Sequence, residues 1–324
     1  TGTGKPTIVL NSHFDTVPVG EQEAWQYGAF TPTIKGGYLH GRGSTDAKAS
    51  VASMLLAFLQ LTHGSEQLPG TIVLQLVGGE ERGSLGTRTL IEKGYLADFV
   101  IVGEPTCLQI CIGHKGAVGV EMYVQGTAAH SSQGETGRNA IYRAAHVLTH
   151  LNMLGTILHG QCDPLYGHAS LEATIISGGI ACNVIPDSCY VRLDRRHLPS
   201  EDPDDAYSEL VKSAWHAKTE IPDLSMEFKI VRKVPAAHLD DTSSWVQALV
   251  PSLSSVLGRK PLVRGFSACC DLGYICRDAG IPGIVFGPGC LRQAHTIDES
   301  VSIQEVQQAV ACYVAMCRSL LMMT

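Results

Sequence analysis

Histidine and acidic side chains recur along this 324-residue chain at points where an apolar run ends or where glycine and proline interrupt the pattern. Imidazole nitrogens and carboxylate oxygens are ligands that zinc and similar divalent ions prefer. The sequence therefore predicts a divalent metal site assembled from several separate segments. The residues of this series are His13, Asp15, Asp46, Glu80, Glu81, Glu104 and His295.

Asp46 is the residue around which the others are arranged. It lies in the glycine-punctuated stretch Gly41 to Lys48, just before apolar residues begin to recur at helical spacing. We expect its carboxylate to be shared between ligands contributed by segments on either side of it. Taken alone, an aspartate at this position is more commonly a helix N-cap and nothing more.

His13 and Asp15 follow the apolar run Thr7 to Leu10. Their spacing of two residues places both side chains on one face of an extended segment. Asp15 could then hold the imidazole of His13 in one tautomer, a role that metal-binding histidines usually need filled. A histidine and an aspartate after a strand are weak evidence on their own, and a purely structural role stays open.

Glu80 and Glu81 follow the apolar run Thr71 to Val77 after a pair of glycines. Two adjacent carboxylates after a buried strand are costly unless something positive binds them. One of them could ligate a metal while the other handles protons. The alternative is a solvated helix start, where acidic residues are also favoured.

The segments that carry these residues predict the fold class. Buried strands are expected over Thr7 to Leu10, Thr71 to Val77, Asp98 to Val102 and Gly283 to Phe286, with helices between them and a loop over residues 20–45. Such alternation is typical of an α/β sheet with its site at the carboxyl ends of the strands.

The pattern changes from about Cys111, where half-exposed strands and amphipathic helices follow in β-α-β-β-α-β order. This order predicts a separate α+β domain inserted into the first one. We place the first domain at residues 1–111 and 235–324 and the inserted domain at 112–234. The conspicuous polar residues of the insert are Lys115, His130, Asn183 and Arg196, each of which is also an ordinary surface or turn residue.

Composition excludes several classes of protein. The 24 basic and 31 acidic residues give a net charge of −7, which argues against a nucleic-acid partner. The longest apolar stretches fall short of the roughly 18 residues that a membrane span needs. Eleven scattered cysteines, an odd number, predict a reducing, cytoplasmic location without a disulfide framework. The chain begins at Thr1, within a few residues of a strand, and we expect further residues before it.

Together the polar segments resemble the M20 family of zinc peptidases and deacylases, which includes acetylornithine deacetylase, succinyl-diaminopimelate desuccinylase, aminoacylase-1 and glutamate carboxypeptidases. The resemblance extends over nearly the whole chain. Each motif is weak alone, and the match lies in their order and spacing. The motifs are His13 to Pro18, Gly41 to Lys48, Gly79 to Glu81, Gly103 to Thr106 and Ala294 to Thr296.

The resemblance implies a zinc-exopeptidase-like catalytic domain at residues 1–111 and 235–324, a lid or dimerisation role for the inserted domain at 112–234, and a role for each polar residue. His13, Asp46 and Glu104 would hold one Zn²⁺ and Asp46, Glu81 and His295 a second, with Co²⁺ able to substitute. Glu80 would be the general base and Asp15 would orient His13. The peptide bond after Asp46 would be cis. His130 would stabilise the oxyanion in the site of a partner subunit of a homodimer, and Lys115, Asn183 and Arg196 would bind substrate.

The implied activity is hydrolysis of the amide bond of an N-acyl-L-amino acid, as in acetylornithine deacetylases, by a water that the two metals activate. Glu104, where family aminopeptidases and dipeptidases more often have Asp, favours deacylase or carboxypeptidase chemistry. The alternatives are an M20 carboxypeptidase or dipeptidase and a desuccinylase. Outside the family, Gly265 to Cys269 is similar to the nucleophile elbow of a serine hydrolase but lacks its closing glycine. A further alternative is a non-catalytic binding protein.

Overall fold

The computed structural model describes residues 4–63, 68–95 and 97–323. The strands in these ranges are β1 (Thr7–His13), β2 (Thr33–Lys35), β3 (Tyr38–His40), β4 (Thr71–Val77), β5 (Phe99–Val102), β6 (Ile110–His114), β7 (Gly116–Gln125), β8 (Ala129–His130), β9 (Cys162–Asp163), β10 (Gly167–His168), β11 (Ser170–Gly178), β12 (Val184–Ile185), β13 (Ser188–His197), β14 (Met226–Val234), β15 (Ala237–His238), β16 (Val263–Phe266), β17 (Gly283–Val285) and β18 (Ser300–Ser302).

The α-helices of the same ranges are α1 (Ala49–His63), α2 (Leu85–Glu92), α3 (Ala140–His159), α4 (Pro203–Trp215), α5 (Ser244–Leu257), α6 (Leu272–Ala279) and α7 (Ile303–Leu321). None of the helices in the described part of the chain is long and apolar enough to cross a membrane. The chain divides into two compact units, residues 1–114 with 237–324 and residues 115–236.

The first unit is built on a mixed sheet whose strand order is β15-β6-β17-β5-β1-β4, with β16 pairing to β6. Strands β4, β1, β5 and β17 run parallel to one another. All four residues of β5 are buried, because apolar clusters cover both faces of the sheet. Parallel strands place their carboxyl ends at one edge, so the polar residues that follow them converge there. The predicted α/β fold is confirmed.

Residues 20–45 are not entirely loop, contrary to the sequence-based expectation. Strands β2 and β3 form a hairpin whose turn residues Gly36 and Gly37 both have positive φ, +60° and +81°. Both values suit glycine in a two-residue hairpin turn. Strand β18 completes a three-stranded sheet by pairing with β3. Strands β2 and β3 have three residues each, and β3 also pairs with β18, about 260 residues further along the chain. Local periodicity therefore does not reveal them.

The second unit has a four-stranded antiparallel sheet in the order β11-β13-β7-β14, with α3 and α4 packed on its apolar face. Its β7-α3-β11-β13-α4-β14 succession has the expected β-α-β-β-α-β order. Strand β6 belongs to the sheet of the first unit and extends to His114, so the division falls three residues after the predicted 111/112 boundary. A fully buried strand has the same apolar pattern in either unit, which is why the sequence misplaces residues 112–114.

Candidate metal centre

Each of the five predicted metal ligands lies where an element of the first unit begins or ends. His13 is the last residue of β1. Glu81 lies in a 3₁₀ turn after β4, and Glu104 lies two residues beyond the end of β5. Asp46 precedes α1 in the segment Ser44–Lys48, and His295 follows β17 by ten residues. The peptide bond from Asp46 to Ala47 is cis, as the resemblance implies.

Asp46 faces both histidines. Its Oδ1 lies 3.2 Å from His13 Nε2, and its Oδ2 lies 3.2 Å from His295 Nε2. Glu104 Oε1 lies 3.6 Å from His13 Nε2, and Glu81 Oε1 lies 3.0 Å from His295 Nε2. The structure thus brings the ligand atoms into two compact triads, His13-Asp46-Glu104 and Asp46-Glu81-His295.

The spacing within each triad fits a tetrahedral ion. Nitrogen and oxygen ligands about 2.0–2.1 Å from a tetrahedral zinc lie roughly 3.3 Å from one another. The distances of 3.0–3.6 Å between the histidine nitrogens and the carboxylate oxygens bracket that value. Two imidazoles and three carboxylates also form a donor set typical of zinc, so the residues fit the metal that the sequence predicts.

The electrostatics of the cluster favour positive charge. Burial acts to lower the pKa of His13, but the hydrogen bond to Asp46 and the charge of Glu104 outweigh it and raise this pKa to about 11. Hydrogen bonds to Asp46 and Glu81 raise the pKa of His295 to about 10. Burial raises the pKa of Glu104 well above its usual range. A site that draws protons onto its imidazoles in this way is suited to bind cations.

The pattern of the whole chain agrees with one family. Residues 9–319 match the model of peptidase family M20/M25/M40. The chain belongs to this family. M20 proteins are metal-dependent hydrolases, and the chain is therefore a metal-dependent enzyme of the peptidase or amidohydrolase type.

Two curated M20 relatives cover most of the chain. A Bacillus subtilis N-formyl-4-amino-5-aminomethyl-2-methylpyrimidine deformylase is 29% identical over 93% of this chain and 76% of its own length. A probable succinyl-diaminopimelate desuccinylase of Staphylococcus aureus is 28% identical over 94% and 82%. The crystal structure of an M20 metallo-carboxypeptidase from Sulfolobus solfataricus shares the fold with a TM-score of 0.84, at 20% identity over 99% of this chain and 86% of that one.

Asp15 supports the M20 ligands in two ways, only one of which was expected. The Nδ1 of His13 lies 3.1 Å from the Asp15 backbone carbonyl and 3.6 Å from its carboxylate, which leaves Nε2 directed at Asp46 and Glu104. The Asp15 carboxylate also accepts hydrogen bonds from the backbone N–H groups of Glu80 and Glu81, at 3.2 and 3.3 Å. One side chain therefore fixes the turn that carries both glutamates.

Glu80, the predicted general base, is a half-buried carboxyl beside the two triads. Burial raises its pKa, the charge of His13 opposes this, and the nearby carboxylates of Asp271 and Glu81 add to the rise, with a result of about 8. Cations held by the neighbouring ligands would lower this pKa again. A carboxyl with such a pKa can both accept and release a proton near neutral pH.

Asp271 was not identified from the sequence. It is buried, its Oδ2 accepts a 2.6 Å hydrogen bond from the Thr87 hydroxyl, and its charge acts on Glu80. The Thr87 hydroxyl in turn accepts a hydrogen bond from Asn11 of β1, at 3.1 Å. Asp271 therefore links α6 to α2 and β1 behind the turn that carries Glu80. Its separation of 184 residues from Thr87 leaves no local signal of this contact.

Glu299 was also missed, although it holds the loop that carries Asp46. Its side chain is 1% exposed and accepts hydrogen bonds from the backbone N–H groups of Gly43, Thr45 and Asp46 at 2.8–3.0 Å. Arg42 adds an ion pair at 2.7 Å. The ion pair with Arg42 and the three backbone hydrogen bonds all meet at the Glu299 carboxylate. They fix the position of Asp46, the shared ligand.

Replacing Glu299 by glutamine is expected to lower the free energy of unfolding by about 3–5 kcal/mol, because it leaves Arg42 buried without its counter-charge. Urea denaturation of the purified variant measures this loss. Asp298→Asn is the matched control, since the neighbouring carboxylate accepts one exposed hydrogen bond from the Gln26 N–H. The control should lose less than about 1 kcal/mol. Equal losses in the two variants would contradict the role given to Glu299.

The remaining predicted residues lie in the second unit. The Nδ1 of His130 accepts a hydrogen bond from the Ser132 backbone N–H at 3.2 Å and lies 2.7 Å from the Ser132 hydroxyl. A backbone N–H can only donate, so the ring proton is on Nε2. Asn183 is close by, because its carbonyl accepts a 3.0 Å hydrogen bond from the Ser131 N–H and β12 pairs with β8.

Lys115 and Arg196 form a separate pair within this unit. Burial and the charge of Arg196 lower the pKa of Lys115. Lys115 donates to the His168 carbonyl at 3.1 Å, and Arg196 donates to the Asp194 carboxylate at 2.6 Å. The structure thus brings the four residues of the second unit together in two pairs, His130 with Asn183 and Lys115 with Arg196.

Proposed function

We propose that this M20 chain is an amidohydrolase that holds two divalent ions, with zinc as the ion its ligands suit best, and removes the acyl group from small N-acyl substrates. The observation that carries the proposal is the position of Asp46, whose two oxygens face one histidine each at 3.2 Å. Such a carboxylate joins two triads into one site. Glu80 supplies a half-buried proton acceptor beside it.

The catalytic roles would be divided among the residues as follows. His13, Asp46 and Glu104 would hold one ion and Asp46, Glu81 and His295 the other. When bound, the ions supply Lewis acidity, which polarises the amide carbonyl and lowers the pKa of water. A Glu80 carboxylate oxygen takes the proton from the attacking water and returns it to the nitrogen of the leaving amine. The Nε2–H of a His130 contributed by the partner subunit would donate to the oxyanion.

Three observations support an N-acyl compound as the substrate. Two relatives that cover over nine-tenths of the chain are named as a deformylase and a desuccinylase, both of which act on an N-acyl group. Glu104 occupies the position that favours deacylases and carboxypeptidases in this family. Lys115 and Arg196 offer charged N–H donors that suit the α-carboxylate of an N-acyl amino acid, although Arg196 also donates to Asp194, and Asn183 is a further donor. An acetylornithine deacetylase-like preference for N-acetyl amino acids is the most specific form of this proposal.

A substrate panel tests it. Protein loaded with Zn²⁺ or Co²⁺ should release free amine from N-acetyl, N-formyl or N-succinyl amino acids and lose that activity after chelation. Turnover confined to dipeptides would shift the assignment to a carboxypeptidase or dipeptidase. Turnover that survives chelation would favour the serine hydrolase reading, although Ser267 makes no hydrogen bond to a histidine within the described residues.

We further propose that the second unit forms a homodimer in which His130 serves the partner's site. Strand β11 is at the edge of its sheet and has seven consecutive exposed residues, two of them isoleucines more than half exposed. An exposed apolar edge strand is a ready surface for pairing with a second copy. In a two-fold dimer each chain would then complete the site of the other.

Coexpression of His130→Ala and Glu80→Ala chains tests this arrangement. Each variant alone should be nearly inactive. A mixed dimer pairs an intact Glu80 on one chain with an intact His130 on the other, so one of its two sites is restored. With random mixing about half the dimers are mixed, and about a quarter of wild-type activity should return. Heterodimers that recover no activity would show that His130 acts within its own chain.

A further inference from the structure

Two thiols outside the proposed catalytic set lie side by side on the loops that carry metal ligands. Cys107 follows Glu104 by three residues, and Cys290 precedes His295 by five. Thr106 and Cys290 form an antiparallel bridge, and the Cys107 N–H donates to the Gly289 carbonyl at 2.7 Å. The two loops therefore run side by side here, and each thiol is close enough to the other to shift its pKa. All eleven cysteines lie in the described part of the chain as free thiols.

The surroundings shift the pKa values of the two thiols in opposite directions. Burial acts to raise the pKa of the Cys290 thiol, but the hydrogen bonds from Cys107 and from the backbone and guanidinium of Arg292 outweigh it and lower this pKa. Burial and the hydrogen bond to Cys290 raise the pKa of Cys107 to about 11. Cys290 is therefore the sulfur that carries thiolate character, and Cys107 is the one that keeps its proton. A thiolate beside an arginine is the reactive form of cysteine.

Both thiols are half-buried, so a small molecule can reach them. A hydroperoxide is the oxidant whose chemistry matches a thiolate next to a second thiol, because the first oxidation product condenses with a neighbouring thiol. Cys162 and Cys182 are more exposed than this pair and provide an internal comparison.

We propose that Cys107 and Cys290 form an oxidation site for hydroperoxides that closes to a disulfide and thereby slows the hydrolase. The Cys290 thiolate attacks the O–O bond, becomes a sulfenic acid and releases an alkoxide or hydroxide that takes up a proton. The Cys107 sulfur then attacks the Cys290 sulfur, an S–S bond forms, and the hydroxyl leaves with the Cys107 proton as water. Overall one hydroperoxide is reduced to an alcohol and water while two thiols are oxidised.

The disulfide would act on the site through the two loops. An S–S bond is about 2.05 Å long, shorter than any contact between two unbonded thiols, so the sulfurs must move together and the bond then ties the two loops to each other. One loop carries Glu104 of the first triad, and the other carries His295 of the second. A displacement of about 1 Å in a catalytic group can cost a factor of about 10² in rate.

The test uses metal-loaded protein free of reductant and treated with stoichiometric hydrogen peroxide. Non-reducing peptide mapping should show a Cys107–Cys290 cross-link, and amide hydrolysis should fall by about 10- to 100-fold and return with dithiothreitol. Oxidation confined to Cys162 and Cys182 would overturn the proposal. A Cys107–Cys290 cross-link with unchanged activity would overturn its regulatory half.

Three variants sharpen the test. Cys290→Ser should neither cross-link nor lose activity under peroxide, whereas the control Cys182→Ser should behave as the wild type. In Cys107→Ser the sulfenic acid of Cys290 has no neighbouring thiol to condense with. Further oxidation should convert it to sulfinic acid, which dithiothreitol does not reverse. The effect on activity rests on the proposed hydrolase function. A protein without hydrolase activity before oxidation would refute that function, while the peptide map would still decide whether the thiols form the site.

Discussion

Replacing Glu80 by glutamine is expected to lower kcat by about 10²- to 10⁴-fold, because the attacking water loses its proton acceptor. Glutamine has nearly the shape of glutamate, and the five ligand side chains are untouched, so metal content and fold should stay at wild-type levels. Asp15 holds the turn by accepting hydrogen bonds from the backbone N–H groups of Glu80 and Glu81. Neither hydrogen bond involves the Glu80 carboxylate.

The measurement is steady-state kinetics on the N-acyl substrate that the panel identifies, with metal content determined on the same sample. Glu80→Asp is the matched control, since it keeps a carboxylate about one methylene further from the water and should retain more activity than the glutamine variant. A fully metallated Glu80→Gln enzyme that turns over at the wild-type rate would remove Glu80 from the mechanism.

Replacing Asp46 by alanine is expected to abolish activity by removing both metals at once. Its two oxygens face different histidines, so the substitution takes one ligand from each triad. A structural or co-catalytic zinc site that falls from three protein ligands to two binds far more weakly. Dialysis against zinc followed by elemental analysis should find well under one ion per chain.

Glu104→Ala is the control for Asp46→Ala, because Glu104 belongs to one triad only. It should lower the occupancy of one ion and leave the second, so its metal content should lie near one per chain. If the Asp46 and Glu104 variants lost the same amount of metal, Asp46 would not be the shared ligand.

The clustering of the candidate ligands could be predicted from sequence because most of them follow strands of the central sheet, and such strands are locally recognisable. His13, Glu81 and Glu104 each come within four residues of the end of a parallel strand. Parallel strands bring their carboxyl ends together whatever the intervening segments do. The position of Asp46 between the other segments led us to expect a shared carboxylate, whereas the cis bond after it and the division of the ligands into two sets came from the resemblance to the M20 family.

What could not be predicted depends on contacts between distant segments. Glu299 holds the Asp46 loop from more than 250 residues away, and Asp271 reaches Thr87 across 184 residues. Neither follows an apolar run or a periodic pattern that would mark it.

The metal content of the wild-type protein tests the central claim most directly. Protein stripped with a chelator, reloaded with zinc and dialysed should contain two equivalents of zinc per chain by elemental analysis, one for each triad. Anomalous scattering at the zinc edge should then give two peaks on either side of the Asp46 carboxylate. A content that stays at one equivalent or below under saturating zinc would contradict the two-metal site.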